Sequence, residues 1–147
     1  MTDKNGKSLK SDDDQLRRWP EHFEKLLNRP LPENPPDIPE AERDLPINCA
    51  IPTKAEIRKA VLLLRNGKAA GPDEIPAEAL KGDINTTVEM LYHLFEKIWE
   101  KETMPADWKE GYLIKLLKNG DLSNCSNYRG IMLLSVPGKV FNRVILE

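Results

Sequence analysis

Asn127-Tyr128-Arg129-Gly130-Ile131-Met132-Leu133-Leu134-Ser135 sets an arginine ahead of a short apolar run and closes that run on a serine. A run of this length, rich in branched and aromatic side chains, predicts a strand rather than a helix. Ser135 then suits a helix N-cap, and Pro137 fits the first turn that follows. Val136, Val140, Val144 and Ile145 mark one apolar side of a helix reaching Leu146, and Lys139 makes it basic. Upstream, Gly111-Tyr112-Leu113-Ile114-Lys115-Leu116-Leu117-Lys118 is a second strand candidate, joined to the first by the turn-rich segment Asn119 to Asn127. Two such runs across a polar loop predict an antiparallel hairpin. Lys118 ends its first strand and Arg129 begins its second, so the two cations are expected to approach each other at one end of the pair. The arginine offers a planar fork for bidentate phosphate contact and the lysine a point charge. The residues alone leave open the alternative of two exposed cations with no ligand.

Working outward, the expected elements upstream are mostly helical. Residues 1–11 have Leu9 as their apolar residue beyond Met1 and are expected to be disordered. Residues 12–28 place Leu16, Trp19, Phe23 and Leu26/Leu27 at helical spacing, with Asp12, Asp13 and Asp14 at the positive end of the dipole. Pro20 lies inside that pattern and predicts a kink or a split. Residues 29–52 hold prolines 30, 32, 35, 36, 39, 46 and 52, which predicts an extended strap tacked to the body by Ile38, Leu45, Ile47 and Ile51. Thr53-Lys54-Ala55-Glu56 is a capping box, opening a helix with Ile57, Ala60, Val61 and Leu64 on one face and Asn66-Gly67 at its end. A short helix from Pro76 through Leu80 and a long one from Ile84 to Glu102 follow. Pro105 then caps a short turn that presents Trp108. The fold class predicted is α+β, mostly helical, with four or so helices around a small antiparallel hairpin.

The chain has 147 residues and a net charge of −2, so it is no general polyanion binder. The average hides an asymmetry. Lys109, Lys115, Lys118, Arg129, Lys139 and Arg143 stand against Glu110, Asp121 and Glu147, leaving +3 from Lys109 onward and −5 on the rest. A basic end on an acidic body suits phosphate or nucleic acid, although ordinary solvated charge accounts for it equally well. Cys49 and Cys125 have no Cys-x-x-Cys partner and read as reduced thiols, with no structural zinc expected; His22 and His93 fall within helical patterns at the surface. No run approaches the ~20 apolar residues of a membrane span, and the polar N-terminus is no secretory signal. A soluble, intracellular protein is expected. Gly67-Lys68-Ala69-Ala70-Gly71 is bounded by glycines but lacks the Lys-Ser/Thr ending of a phosphate-binding loop and follows a helix. A tight turn fits better, with Gly71-Pro72 redirecting the chain and Asp73 bonding local backbone.

In order along the chain, Trp19-Pro20-Glu21-His22-Phe23, the block Gly67-Lys68-Ala69-Ala70-Gly71-Pro72-Asp73-Glu74-Ile75-Pro76-Ala77-Glu78, Trp108-Lys109, Lys118-Asn119-Gly120-Asp121 and Asn127-Tyr128-Arg129-Gly130-Ile131 resemble reverse transcriptases of non-LTR (LINE-type) retrotransposons. The resemblance runs from about Trp19 to Glu147. It implies the N-terminal extension and the fingers of a right-hand polymerase, with residues 53–147 a partial reverse transcriptase domain. It implies that Lys118 and Arg129 match the fingers cations that hold the incoming triphosphate and the template. Lys68 then becomes a template contact in a loop organised by Gly71, Pro72 and Asp73; Lys139, from the basic C-terminal helix, is added to the candidate nucleotide- and template-binding set as a cation of a nucleic-acid-binding module. The cofactors implied are two Mg ions and deoxynucleoside triphosphates, and the partners an RNA template and a DNA primer. Leu117 departs from the proline usual before the lysine. The carboxylates that bind the metals are expected beyond Glu147, so the 147 residues by themselves are expected to be inactive, with no catalytic or metal-ligating residue among them. Uncovered apolar surface is expected to make the chain marginally stable or self-associating. The remaining alternatives are a nucleic-acid-binding module without polymerase activity and a helical protein-interaction domain.

Overall fold

Residues 1–43, 46 and 48–147 are described by a computed structural model, in which the chain divides into two compact units. One comprises Met1–Ile47 with Lys115–Gly130, the other Asn48–Ile114 with Ile131–Glu147. The elements in order are α1 (Asp12–Leu27), α2 (Lys54–Leu62), α3 (Ala77–Gly82), α4 (Ile84–Lys101), β1 (Gly111–Leu117), β2 (Tyr128–Leu134) and α5 (Val136–Leu146). Short 3-10 turns at Ala106–Lys109 and Cys125–Asn127 precede the two strands. The mixed, mainly helical class predicted from the sequence is therefore present, with one two-stranded antiparallel sheet.

The second unit is built where apolar spacing is most regular. Thr53 accepts from the Glu56 N–H, and Glu56 accepts from the Thr53 N–H at 2.7 Å, so the capping box closes at the start of α2. Ile57, Ala60 and Val61 then face Val88, Leu91, Phe95 and Ile98 of α4 and Val140 and Phe141 of α5 in one core. Phe95, at its centre, meets Phe141 edge-on at 4.9 Å and Trp108 at 6.3 Å. Each helix thus spends its apolar stripe on another helix. No residue of β1 or β2 belongs to that core. Both strands are largely solvent-exposed on their two faces.

Helix α2 stops at Leu62, before the predicted Asn66-Gly67 end. The Leu64 N–H bonds to the Val61 carbonyl, tightening the last turn, and the Lys81 ammonium takes the Leu64 carbonyl at 2.6 Å. The Lys59 and Val61 carbonyls near the helix end are met by the Leu63 and Leu64 N–H groups, so the chain can leave the helix there. At the start of α4, Asp83 accepts from the Thr86 N–H at 3.1 Å.

In the first unit α1 runs unbroken through Pro20, against the predicted split. Proline removes one N–H donor, but Pro20 lies on the exposed side, and the Trp19 and Phe23 rings stack across it with centroids 6.1 Å apart. Residues 1–11, expected to be disordered, form a turn in which Thr2 bridges Ser8 and the Thr2 N–H bonds to the Ser123 carbonyl at 2.9 Å. The described residues of the 29–52 strap form no helix or strand. Ile38 is 78% exposed and does not tack the strap down. Leu45 and Ile47, the other expected anchors, lie outside the described residues, and Ile51 is exposed. Among the described residues no helix is long and apolar enough to cross a membrane.

Candidate functional site

The hairpin tip is assembled by its own loop. Asp121 accepts from the Ser123 hydroxyl at 2.6 Å and from the Ser123 N–H at 2.8 Å, and these bonds hold its carboxyl below the usual aspartate range. Asn127 Nδ2 donates to the Asp121 carbonyl at 2.8 Å, and the Tyr128 hydroxyl donates to the Leu122 carbonyl at 3.1 Å. Gly120, at φ 81°, turns the chain, and a Cβ there would come within 2.9 Å of Asn127 Nδ2. The tip is thus a self-bonded turn of side chains typical of such turns.

The Lys118 N–H bonds to the Asn127 carbonyl at 2.7 Å, which sets the register. Lys118 stands opposite Asn127, so Leu116 stands opposite Arg129. The two cations are diagonal neighbours on one face, a relation that puts Cβ atoms about 7–8 Å apart. Both are exposed, and among the described residues neither has a carboxylate partner. Leu117, where the resemblance expects proline, completes β1 without altering this register.

On the same unit α1 meets the hairpin through Trp19. The Trp19 ring meets Tyr128 edge-on at 4.8 Å, and the Lys115 ammonium lies 4.3 Å from its centroid. One turn further along α1 is His22, half-buried, its ring edge-on to Phe23 at 5.1 Å. Burial, then the charges of Arg18 and Lys118, hold His22 below the ordinary histidine value. Arg18 and His22 were not among the sequence-predicted site residues. Their i, i+4 spacing was legible, but nothing in the sequence showed that α1 lies against the hairpin.

Lys68 and Lys139 belong to the second unit. Lys68 is exposed in a loop pinned by the Gly67 N–H, which donates to Glu78 Oε1 and holds that carboxyl below its ordinary range. Asp73 accepts from the Ile75 N–H at 3.3 Å, the local backbone bond expected of it. Gly71 is buried, and a Cβ on it would lie 2.5 Å from the Leu134 carbonyl carbon and 2.6 Å from the Ser135 nitrogen. The Gly71-Pro72-Asp73 turn therefore abuts the N-cap of α5, where Ser135 accepts from the Gly138 N–H at 3.2 Å. Lys139, half-buried one turn on, is carried by that same helix. The four predicted cations thus fall two to each unit, Lys118 and Arg129 in one and Lys68 and Lys139 in the other.

No known family profile matches the chain. Over 94 residues it is 33% identical to a protein of Drosophila melanogaster named as the 115 kDa protein in type-1 retrotransposable element R1DM. The match covers 63% of this chain and 9% of that protein. This similarity, over a small part of a far longer relative, supports a retrotransposon-related origin for the chain.

Proposed function

We propose that the chain is the fingers portion of a retrotransposon RNA-directed DNA polymerase, and that its own part is to hold phosphate rather than to react with it. The observation that carries this reading is the hairpin tip: Lys118 and Arg129 are exposed, without a carboxylate partner among the described residues, and on one face by the register that the Lys118–Asn127 bond sets. The similarity to an R1 element protein supports the same lineage. Arg129 would take a phosphate bidentately, and Lys118 would add charge beside it. Lys68 and Lys139, in the other unit, would each be a template-backbone contact on their own unit's surface. The residues present do not fit the two Mg ions of the lineage, because among the described residues no three His, Cys, Asp or Glu side chains gather where a metal could bind. No chemical step is therefore assigned to these residues.

The test is binding of a primed RNA template by fluorescence anisotropy across a salt series. Affinity should fall as salt rises, and Arg129→Ala should weaken binding and lower the slope of log K against log salt by about one. Binding indifferent to salt and to Arg129→Ala would overturn the reading. The bare faces of the hairpin favour a second one, protein interaction. Tyr112, Ile114, Leu116 and Ile131 are all exposed, and an isolated two-stranded hairpin is marginal in water. Self-association through these faces would show as concentration-dependent sedimentation that Leu116→Lys abolishes.

A further inference from the structure

The strap that follows α1 carries a pattern that the hairpin cations do not use. Arg29-Pro30-Leu31-Pro32-Glu33-Asn34-Pro35-Pro36 places an arginine and two prolines at intervals of three. A polyproline II helix has three residues per turn, so Arg29, Pro32 and Pro35 fall along one edge of it. The sequence restricts the backbone toward that conformation almost throughout. Prolines fix φ at 30, 32, 35 and 36, and the residue before each is held out of the α region, which covers Arg29, Leu31, Asn34 and Pro35. Within this stretch Glu33 alone is neither a proline nor followed by one, and the chain bends at residues 33 and 34. All of residues 29–43 are exposed, and Leu31 is 91% exposed. Among the described residues Arg29 has no carboxylate partner, and residues 29–43 take part in no hydrogen bond.

We propose that residues 29–36 dock as a polyproline II helix into an aromatic-lined groove of a partner protein, with Arg29 meeting a carboxylate at one end. This is the kind of groove an SH3-type domain presents. The chemistry of the segment disfavours the other occupants. In an extended strand the prolines would remove N–H donors on both sides, at 30, 32 and 36 on one and at 35 on the other. Pairing with a sheet edge is therefore broken whichever side faces it, and the same prolines oppose an α-helix laid in a groove. Residues 29–43 carry Arg29 and Arg43 against Glu33, Asp37, Glu40 and Glu42, a net of −2, which opposes a nucleic-acid backbone. What remains is apolar surface already in water at Leu31, Pro32 and Pro35, with one guanidinium fork ahead of it for a carboxylate. Since proline has already removed most of the backbone freedom, the ordering cost of binding falls chiefly on Glu33, where the bend must straighten. Asn34 precedes Pro35 where a second apolar side chain would bury more area, so Arg29 carries a large share of the affinity.

The 147-residue chain, labelled for NMR, would be titrated with a set of isolated SH3 domains that take arginine-first ligands. The same domains with amides in place of their groove carboxylates form the second arm. At least one domain should bind, shifting the amide signals of Arg29, Leu31, Glu33 and Asn34 and leaving those of the hairpin in place. Arg29→Ala should weaken that binding by about tenfold or more, and should cost little further against the amide-bearing domain, the coupling expected of a direct pair. Pro32→Ala and Pro35→Ala should each weaken it as well, whereas Arg43→Ala, at the other cation of the strap, should not. These positions are exposed, so every variant should keep the urea midpoint of wild type. The proposal is overturned if no domain in the set binds, or if Arg43→Ala weakens binding as much as Arg29→Ala. It is also overturned if Pro39→Ala abolishes binding while Pro32→Ala leaves it intact, because the reading edge is then a different one. None of these outcomes bears on salt-dependent binding of a primed RNA template at Arg129, so the two readings fail separately.

Discussion

The second unit buries Phe95, Ile57, Val61 and Val140 completely in a core drawn from three helices, whereas the first unit, among its described residues, buries only Phe23 and Cys125. The two are stabilised by different means. One relies on apolar area removed from water, the other on a helix laid over a hairpin tip by an aromatic pair, a cation over a ring, and turn hydrogen bonds. Lys118 and Arg129, exposed and without a described carboxylate partner, lie in the thinly packed unit. That arrangement suits a surface completed by something else, because partnerless charge and bare strands each become favourable when a ligand or partner covers them. Substitutions in either unit should therefore separate cleanly.

The largest effect is expected from Phe95→Ala. It empties the centre of the core and removes ring contacts to Phe141 and Trp108, at a cost of about 3–5 kcal/mol. Urea denaturation should show the main transition shifted sharply or lost. Phe23→Ala deletes the same side chain in the first unit. It should leave the main transition in place and speed hydrogen exchange in α1 instead. If Phe23→Ala moved the main transition as far as Phe95→Ala, the contrast between the units would collapse.

Gly71→Ala comes next. Its Cβ would meet three backbone atoms of Leu134 and Ser135 at 2.5–2.7 Å, and backbone cannot swing aside as a side chain does. A loss of about 1–3 kcal/mol is expected, read as a lower urea midpoint with α2 and α4 otherwise intact. A neutral result would show that the turn and the N-cap of α5 separate easily.

The particular elements that were legible in the sequence share one trait. The capping box at Thr53 and Glu56, the apolar faces of α2, α4 and α5, the two strands and the Asn119–Asn127 turn are all local patterns, in which neighbours in sequence determine the outcome. What was not legible is long-range. No period in the chain says that Thr2 bonds to Ser123, that Trp19 lies beneath Lys115, or that Gly71 is pressed against Leu134. The turn over residues 1–11 was not legible for the same reason, since Ser123, to which Thr2 bonds, is over a hundred positions away. At the site, Lys118 and Arg129 could be paired from hairpin logic, while the place of Trp19 required knowing where α1 docks.

Thr53→Ala tests one of the legible elements and should cost about 1 kcal/mol. The backbone and side chain of Thr53 hold the Glu56 carboxyl below its ordinary 4.5. A carboxyl lowered in the folded state adds stability that is present above its unfolded value and lost as pH falls through its folded one. Wild type should accordingly lose its advantage over Thr53→Ala on acidification below the unfolded value. A gap between the two proteins that stays constant down through that range would show that Glu56 contributes no charge-dependent part of the cap.

Arg129→Ala should have the smallest effect on stability and the most specific one on function. The side chain is exposed and no partner of it is described, so the urea midpoint should stay within about 0.5 kcal/mol of wild type. Its removal nevertheless deletes the planar donor from the hairpin face, and phosphate binding should weaken with a shallower salt slope. The pairing of a silent stability measurement with a changed salt slope is what separates a ligand-holding cation from a structural one. A structural arginine would move the midpoint and leave the slope alone. Arg129 in the first unit is thus the inverse of Phe95 in the second: one can be lost without unfolding anything, and the other binds nothing outside the core.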